Sequence, residues 1–522
     1  MKKLKGSWTG MAVAIATVMF GAPMSSMAQD QGRTRVIVAA KPGAMAAVRA
    51  AIAKAGGRVK VELGDVNAVA IDLPLRALAA LKRNGNIDFV EADPIRRPFA
   101  TTSPSAPPYE LGQLEPYGVR MVQADQLPSG DSLAGNRKVC IIDSGYDLAH
   151  EDLSANPVTG DSDPLGTGDW FTDENSHGTH VAGTIAAMNQ AGVGVVGVAP
   201  NKALNLHIIK VFGADGWAYS SSLSNAAMKC RKAGANVISM SLGGSRAGRI
   251  EEKVFNFLTK RGILSVAASG NDGNTAFSYP ASYPTVMSVG ALDVDKAWAT
   301  FSQFNSEVDI SAPGVDVLST VPMGSGALPS LSVGGVDYAP GAMDGSPNAS
   351  VTAPLANFGL GDAVVPGGMT GQVCLIQRGN ISFADKVTNC EASGGVGAVV
   401  YNNAPGGFSG TLGGAVTTIP SVTASDTEGA AMLDQLGEMA TVTVEAASYA
   451  FFNGTSMATP HVSAVAALVW SYFPSCTAEQ MKASLMLSAE DLGDPGRDDK
   501  FGAGLVQAKA AHDRILANGC GL

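Results

Sequence analysis

The stretch Val139-Cys140-Ile141-Ile142-Asp143-Ser144-Gly145 decides the fold. Four apolar residues in a row, closed by an acid and a glycine, read as a short strand buried on both faces. Strands of that kind belong to parallel sheets covered by helices on each side. Ligands of open α/β sheets gather at the carboxyl ends of the strands, where Asp143 stands. Taken alone, an acid at that point also fits a turn or a cap.

Two further segments carry matching chemistry. Asn175-Ser176-His177-Gly178-Thr179-His180-Val181-Ala182-Gly183-Thr184 surrounds two histidines with small residues, where a helix can start close against its neighbours. The pair lacks the glutamate that a zinc peptidase places between its histidines, so no catalytic metal is expected. Asn453-Gly454-Thr455-Ser456-Met457-Ala458-Thr459-Pro460-His461 leads into an Ala/Val-rich helix, and Ser456 fits either a nucleophile or an N-cap. A serine nucleophile needs a base, and the base needs an acid to fix its tautomer. Asp143, His177 and Ser456 supply these groups in that order along the chain.

The three segments resemble the subtilisin family of serine endopeptidases, over about residues 116–318 and 449–522. The resemblance implies an α/β fold, a subtilisin-like parallel sheet with helices on both faces. It assigns Asp143 as the orienting carboxylate, His177 as the base and Ser456 as the nucleophile, with His180 and His461 as structural positions. Asn271, in Ser265-Val266-Ala267-Ala268-Ser269-Gly270-Asn271-Asp272-Gly273, matches the side-chain donor of the oxyanion hole. Ser241, Leu242 and Gly243 match the strand edge that pairs with an extended peptide. Ser278-Tyr279-Pro280 resembles the far wall of the first specificity pocket, and no charged residue is apparent there. The spacings of Gln113 and Asp152, with Asn189 or Gln190 in the loop that follows, match the ligands of a structural Ca²⁺, whose preference is for hard oxygen donors.

The rest of the chain is organised around this core. Lys2, Lys3 and Lys5 precede an apolar run from Met11 to Phe20, and Ser26-Met27-Ala28 fits a signal peptidase site. Residues 1–28 therefore read as a signal peptide rather than a stable membrane anchor, and the protein as secreted. A β-α-β-β-α-β pattern follows, with strands over 35–40, 58–62 and 68–71, helices over 44–55 and 74–83, and a last strand from Val90. Residues 29–105 resemble the family's prodomain, an intramolecular inhibitor, and the enzyme itself would cut in the region from Arg96 to Pro108, which includes a Ser/Thr/Pro-rich linker. Residues 110–318 and 446–522 form the two parts of the catalytic domain. Between them, 319–445 is too long for a loop and is expected to be a domain. Its strand, helix, strand and helix resemble the small β/α protease-associated (PA) module of some relatives. Cys374 and Cys390 flank one strand and helix there and are expected to pair; Cys476 with Cys520 is a candidate staple of the C-terminal helices, and Cys140 and Cys230 are open between a bridge from strand to neighbouring helix and two buried thiols.

Composition narrows the function. The 522 residues are 46% hydrophobic and 16% charged, which excludes a coiled coil or a disordered chain. Residues 1–100 carry a net charge of +8 and the remainder −18, so the acidic body is no partner for nucleic acid. Opposite net charges would favour docking of the basic head on the body. The combined reading is a monomeric, secreted endopeptidase that hydrolyses protein and peptide substrates with broad specificity through an acyl-enzyme. Two alternatives stand beside it. A narrow processing protease would carry acidic residues in its pocket, and none is located. A catalytically silent binding protein would lack one of Asp143, His177, Ser456 or Asn271, and none is missing.

Overall fold

The strand Lys138–Asp143 sits inside a seven-stranded, wholly parallel sheet in the computed structural model. The order is Ile310–Pro313, Val286–Leu292, Leu264–Ala268, Val237–Met240, Lys138–Asp143, Asn205–Lys210, Val158–Asp161. Side chains alternate across the sheet, so the apolar run feeds two cores at once. Val139 and Ile141 pack with the helices His177–Ala186 and Thr455–Tyr472. Cys140 and Ile142 pack on the other face with Ser220–Lys232 and Arg249–Thr259. The structure describes residues 32–102, 113–127, 136–163, 166–190, 192–408 and 410–520. The expected signal peptide and most of the linker before the catalytic part lie outside these residues. No helix among the described residues is long and apolar enough to cross a membrane.

The N-terminal unit has the expected β-α-β-β-α-β order. Its four-stranded antiparallel sheet runs Arg58–Leu63, Ala68–Pro74, Arg33–Ala40, Ile87–Ala92, with the helices Met45–Lys54 and Leu75–Lys82. The last strand starts at Ile87, earlier than Val90, because a turn held by Asn84 Oδ1 on the Asn86 amide (2.9 Å) delivers the chain straight into the sheet. This unit docks on the ends of two helices of the main body. Glu91 accepts from the amides of Arg249 and Ile250, both at 2.9 Å. Asp93 accepts from the Ser221 amide at 3.0 Å and from its hydroxyl at 2.6 Å. Helix N-termini leave amides unpaired and carry partial positive charge, so carboxylates suit both places.

The long insertion builds its own mixed nine-stranded sheet from strands between Gly326 and Ala447, with the helices Phe383–Ala392 and Asp426–Leu433. The chain leaves the host along Val317–Thr320 and returns along Tyr449–Asn453, and these two strands pair antiparallel, Val317 opposite Phe452. Entry and exit are neighbours, so a guest of this size is accommodated without parting the host sheet.

Three disulfides close the fold. Cys374–Cys390 forms as expected, and the cysteines left open pair as Cys140–Cys230 and Cys476–Cys520. The first of these ties the central strand to the helix Ser220–Lys232 over 90 residues of chain, against 16 for Cys374–Cys390. Loop-closure entropy then gives roughly 4–5 kcal/mol for the longer loop and about 3 kcal/mol for the shorter. Replacing Cys140 and Cys230 together by Ala is expected to cost more stability than replacing Cys374 and Cys390. Calorimetry of both variants, blocked with a covalent serine inhibitor, would reveal an opposite order if chain entropy were not the cause.

Candidate active site

Asp143 closes its strand fully buried, and its Oδ1 accepts the Ser144 amide at 2.7 Å. The same oxygen lies 2.7 Å from Nδ1 of His177, the first residue of the helix His177–Ala186. That helix start is held by Asp173, which sequence reasoning missed. Its carboxylate collects the amides of Asn175, Ser176 and Thr179 and the hydroxyls of Ser144 and Thr179, at 2.7–3.1 Å. Ser176 itself has φ 70° and makes no side-chain cap, so Asp173 performs the capping from outside the helix. The only local sign in the sequence was an acid four residues ahead of a helix.

Ser456 is the second residue of the helix Thr455–Tyr472, and Pro460 shapes its surroundings. Proline has no amide hydrogen, so the Ser456 carbonyl loses its partner one turn on. The Ser241 hydroxyl fills the gap, donating to that carbonyl at 2.7 Å. In return the Ser456 hydroxyl donates to the Ser241 carbonyl at 2.8 Å. The structure thus joins Asp143 to His177 directly and Ser456 to Ser241. The Ser456 hydroxyl is not bonded to His177, whose buried Nε2 has no hydrogen-bond partner among the described residues.

The chain between the N-terminal unit and the main body occupies this site. Strand Ile95–Pro98 lies antiparallel between two edges, with Pro98 and Arg97 opposite Leu242 and Gly243, and Arg96 and Ile95 opposite Ala218 and Tyr219. The Phe99 amide donates to Ser456 Oγ at 3.0 Å, and the Phe99 carbonyl accepts from Asn271 Nδ2 at 3.0 Å. The Asn271 amide is aimed by its own oxygen, which accepts from the Thr455 amide and hydroxyl at 2.9 and 2.8 Å. Only glycine fits at 454, since a Cβ there would stand 2.1 Å from the Phe99 oxygen. A Cβ on Gly243 would meet the Phe99 ring at 2.5 Å and Ser278 Oγ at 2.6 Å, which defines a small neutral pocket filled by that ring. Ser241, Leu242 and Gly243 all contact the bound chain or the serine beneath it, where the sequence placed substrate contacts. Past Phe99, Thr101–Thr102 pairs with Asn453 and Phe452. A cleft of about 730 Å³ opens on this side, between His177 and insertion residues such as Gly341 and Met343.

The neighbouring pocket holds a charge that sequence reasoning did not locate. Arg96 and Glu251 are both fully buried and form a two-pronged ion pair, 3.0 Å from Nε and 2.5 Å from Nη2. Burial pushes the Glu251 carboxyl above the ordinary glutamate value, and Arg96 pulls it down.

The expected calcium ligands lie in one region. Gln113 Nε2 donates to Asn189 Oδ1 at 2.9 Å. Buried Asp152 accepts the Val195 amide through Oδ2 at 2.8 Å, while Oδ1 has no hydrogen-bond partner among the described residues. Among those residues no three His, Cys, Asp or Glu side chains gather as a metal site.

Comparison with known proteins agrees with the geometry. The model of the subtilase family matches residues 135–357 and 396–504, and that of the PA domain matches 347–432. Subtilisin NAT of Bacillus subtilis subsp. natto is 34% identical over 339 residues, covering 62% of this chain and 83% of the relative. Subtilisin BL of Lederbergia lenta is 40% identical over 210 residues, covering 40% and 76%. The crystal structure of the psychrophilic subtilisin-like protease Apa1 from Pseudoalteromonas sp. AS-11 superposes with a TM-score of 0.58 at 42% identity. It covers 78% of this chain and all of that one.

The two remaining histidines of the motifs are structural and neutral. His180 is enclosed beside the Val317 and Ala450 carbonyls and stacked on Phe452, and burial, reinforced by His177, lowers it to about 3. Burial lowers His461 to about 4. In the unfolded chain both return to about 6.5. Below that pH the unfolded state binds protons that the folded state refuses, so stability is complete above pH 6.5 and falls as pH drops toward 4. The slope is roughly 1.4 kcal/mol per pH unit for each histidine. Urea midpoints of the inhibitor-blocked protein are expected to drop between pH 7 and pH 5, and a flat profile would contradict neutral burial.

Proposed function

Because the chain belongs to the subtilase family and is a serine endopeptidase, we propose that Asp143, His177 and Ser456 are its triad and Asn271 its oxyanion donor. One observation carries this reading: the Phe99–Ala100 peptide lies across Ser456 with its carbonyl on Asn271. Reaction requires the Ser456 proton to turn from the Ser241 carbonyl to His177 Nε2, the ring nitrogen without a hydrogen-bond partner among the described residues. Ser456 Oγ then forms a bond to the carbonyl carbon while His177 takes the proton and Asp143 balances the imidazolium. Negative charge on the former carbonyl oxygen meets Asn271 and an amide of the first helical turn. His177 passes its proton to the departing amine, and water, deprotonated by the same imidazole, releases the acyl group as acid.

The proposed substrates are unfolded stretches of protein, because strand pairing along Leu242–Gly243 and Ala218–Tyr219 reads backbone and accepts many sequences. The glycine-walled first pocket favours an aromatic or apolar side chain such as Phe99. The N-terminal unit up to Phe99 is read as an intramolecular inhibitor, six residues shorter than the 29–105 expected from sequence, docked through Glu91 and Asp93 and laid through the cleft by its tail. All these groups come from a single copy of the chain. The Lys-rich apolar head and the disulfides fit a secreted enzyme. Gln113, Asp152, Asn189 and nearby loop carbonyls are read as a structural Ca²⁺ site, which would satisfy the unpartnered Asp152 Oδ1 with hard oxygen chemistry.

Two measurements test this. The unmodified precursor is expected to yield a mature chain beginning at Ala100 and to digest casein, while Ser456→Ala stays full length and leaves casein intact. An unmodified precursor that neither shortens nor digests casein would sink the endopeptidase assignment to these residues. Chelation is expected to lower the thermal midpoint of inhibitor-blocked protein, and added Ca²⁺ to restore it. Equal midpoints would remove the calcium site.

A further inference from the structure

The pocket around Glu251 is built more elaborately than docking of a tail by backbone pairing requires. Counting back from the Phe99 carbonyl, Arg96 is the fourth residue on the amino side of the bond over Ser456. Side chains alternate along the paired strand, so Arg96 turns inward and is fully buried while Arg97 points to solvent. Four of the five guanidinium hydrogens find acceptors. Two go to Glu251, one to the Arg246 carbonyl at 3.0 Å and one to the Ile95 carbonyl at 3.0 Å. Glu251 is itself fixed by the Tyr283 hydroxyl at 2.8 Å, and that hydroxyl is held by the Gly248 amide at 2.7 Å.

We propose that Glu251 makes this endopeptidase a reader of arginine at the fourth residue before the cleaved bond. This rests on the reading of Ser456 as nucleophile and of Phe99–Ala100 as the bond in place. Every hydrogen-bond partner of the guanidinium other than the Ile95 carbonyl belongs to the catalytic body and stays when the N-terminal unit leaves. The pocket then presents a carboxylate with the Tyr283 hydroxyl and the Arg246 carbonyl preset around a planar, five-donor cation. A substrate with an apolar side chain there would leave the carboxylate without its cation, the costly case for a buried charge. Selection is therefore for a positive fork at position four and an aromatic or apolar side chain at the bond. That is narrower than backbone pairing alone would give.

The test uses mature enzyme, its active concentration set by titration with a covalent serine inhibitor. Quenched fluorescent peptides carry Ile-Arg-Arg-Pro-Phe-Ala-Thr-Thr, or the same sequence with citrulline or alanine replacing the first arginine. Citrulline keeps the shape and removes the charge. kcat/KM for the arginine peptide is expected to exceed both others by roughly 10–100-fold, the range for a lost charged hydrogen-bond partner. In Glu251→Gln the arginine-to-citrulline ratio is expected to fall to within about threefold of one. If that variant does not mature, the unmodified enzyme with the three peptides still decides. Cleavage of all three at Phe-Ala at equal rates would overturn the role of Glu251, leaving its ion pair as a docking contact only. No cleavage, or cleavage at other bonds, would instead overturn the reading of the site on which the proposal rests.

Discussion

The helix Thr455–Tyr472 is buried along 17 of its 18 residues, and the active site depends on how its first turn meets the sheet. A helix surrounded on all sides must satisfy its polar groups internally, and this one does. Thr459 and Ser471 bond to carbonyls one turn back, His461 Nδ1 lies 2.7 Å from the Met457 carbonyl, and Ser463 meets Ser239. Pro460 is the exception, and the carbonyl it frees is the one that binds Ser241. The same turn aims Asn271 through Thr455 and admits the Phe99 carbonyl over Gly454. The proposed nucleophile, oxyanion donor and substrate edge are thus fixed by one buried helix end, not by separate loops.

The N-terminal unit meets this framework in a way its net charge hides. It is basic and the body acidic, which favours encounter at a distance. Yet two of its closest charged contacts run the other way, with the unit's own Glu91 and Asp93 on helix amides of the body. Arg249 completes the reversal by lying 3.9 Å above the Phe89 ring. Local partial charges at helix ends govern docking geometry, and net charge bears on the rate of approach. Among the described residues the one ion pair between the two parts that follows the global signs is Arg96 on Glu251, and it lies inside the cleft.

Much of this was legible from residues. The run at 139–142 signals a two-faced strand because each residue must be apolar when both faces are covered. His177, Ser456 and Asn271 stand in long segments whose small neighbours permit close approach. The Cys374–Cys390 pair spans one strand and one helix, a local relation. What stayed open or escaped was set by distant chain. Cys140 and Cys230, readable from sequence either as a bridge or as two buried thiols, pair across 90 residues that the sheet order brings together. Asp173 looks like any loop acid until the helix behind it is seen to lack its own cap. Glu251 sits on the amphipathic helix Arg249–Thr259, where an acid in the first turn reads as ordinary dipole pairing. Its burial comes from a strand laid over it from 155 residues away.

The proposed inhibitor and the proposed substrate are then the same object in two lengths. A peptide that fills only the strand edges, the glycine-walled pocket and the Glu251 pocket can leave once its bond is cut, since its contacts end there. The N-terminal unit makes those contacts and adds Glu91, Asp93 and Phe89 on the helix ends, well away from Ser456. Cutting Phe99–Ala100 removes none of these additions. A tail that is ideal at the bond but anchored elsewhere is cleaved and still held, so blockage outlasts the reaction. Specificity at position four serves both roles, because an arginine that draws a substrate in also seats the inhibitor's tail. What separates substrate from inhibitor is the folded unit behind the strand, not the strand itself.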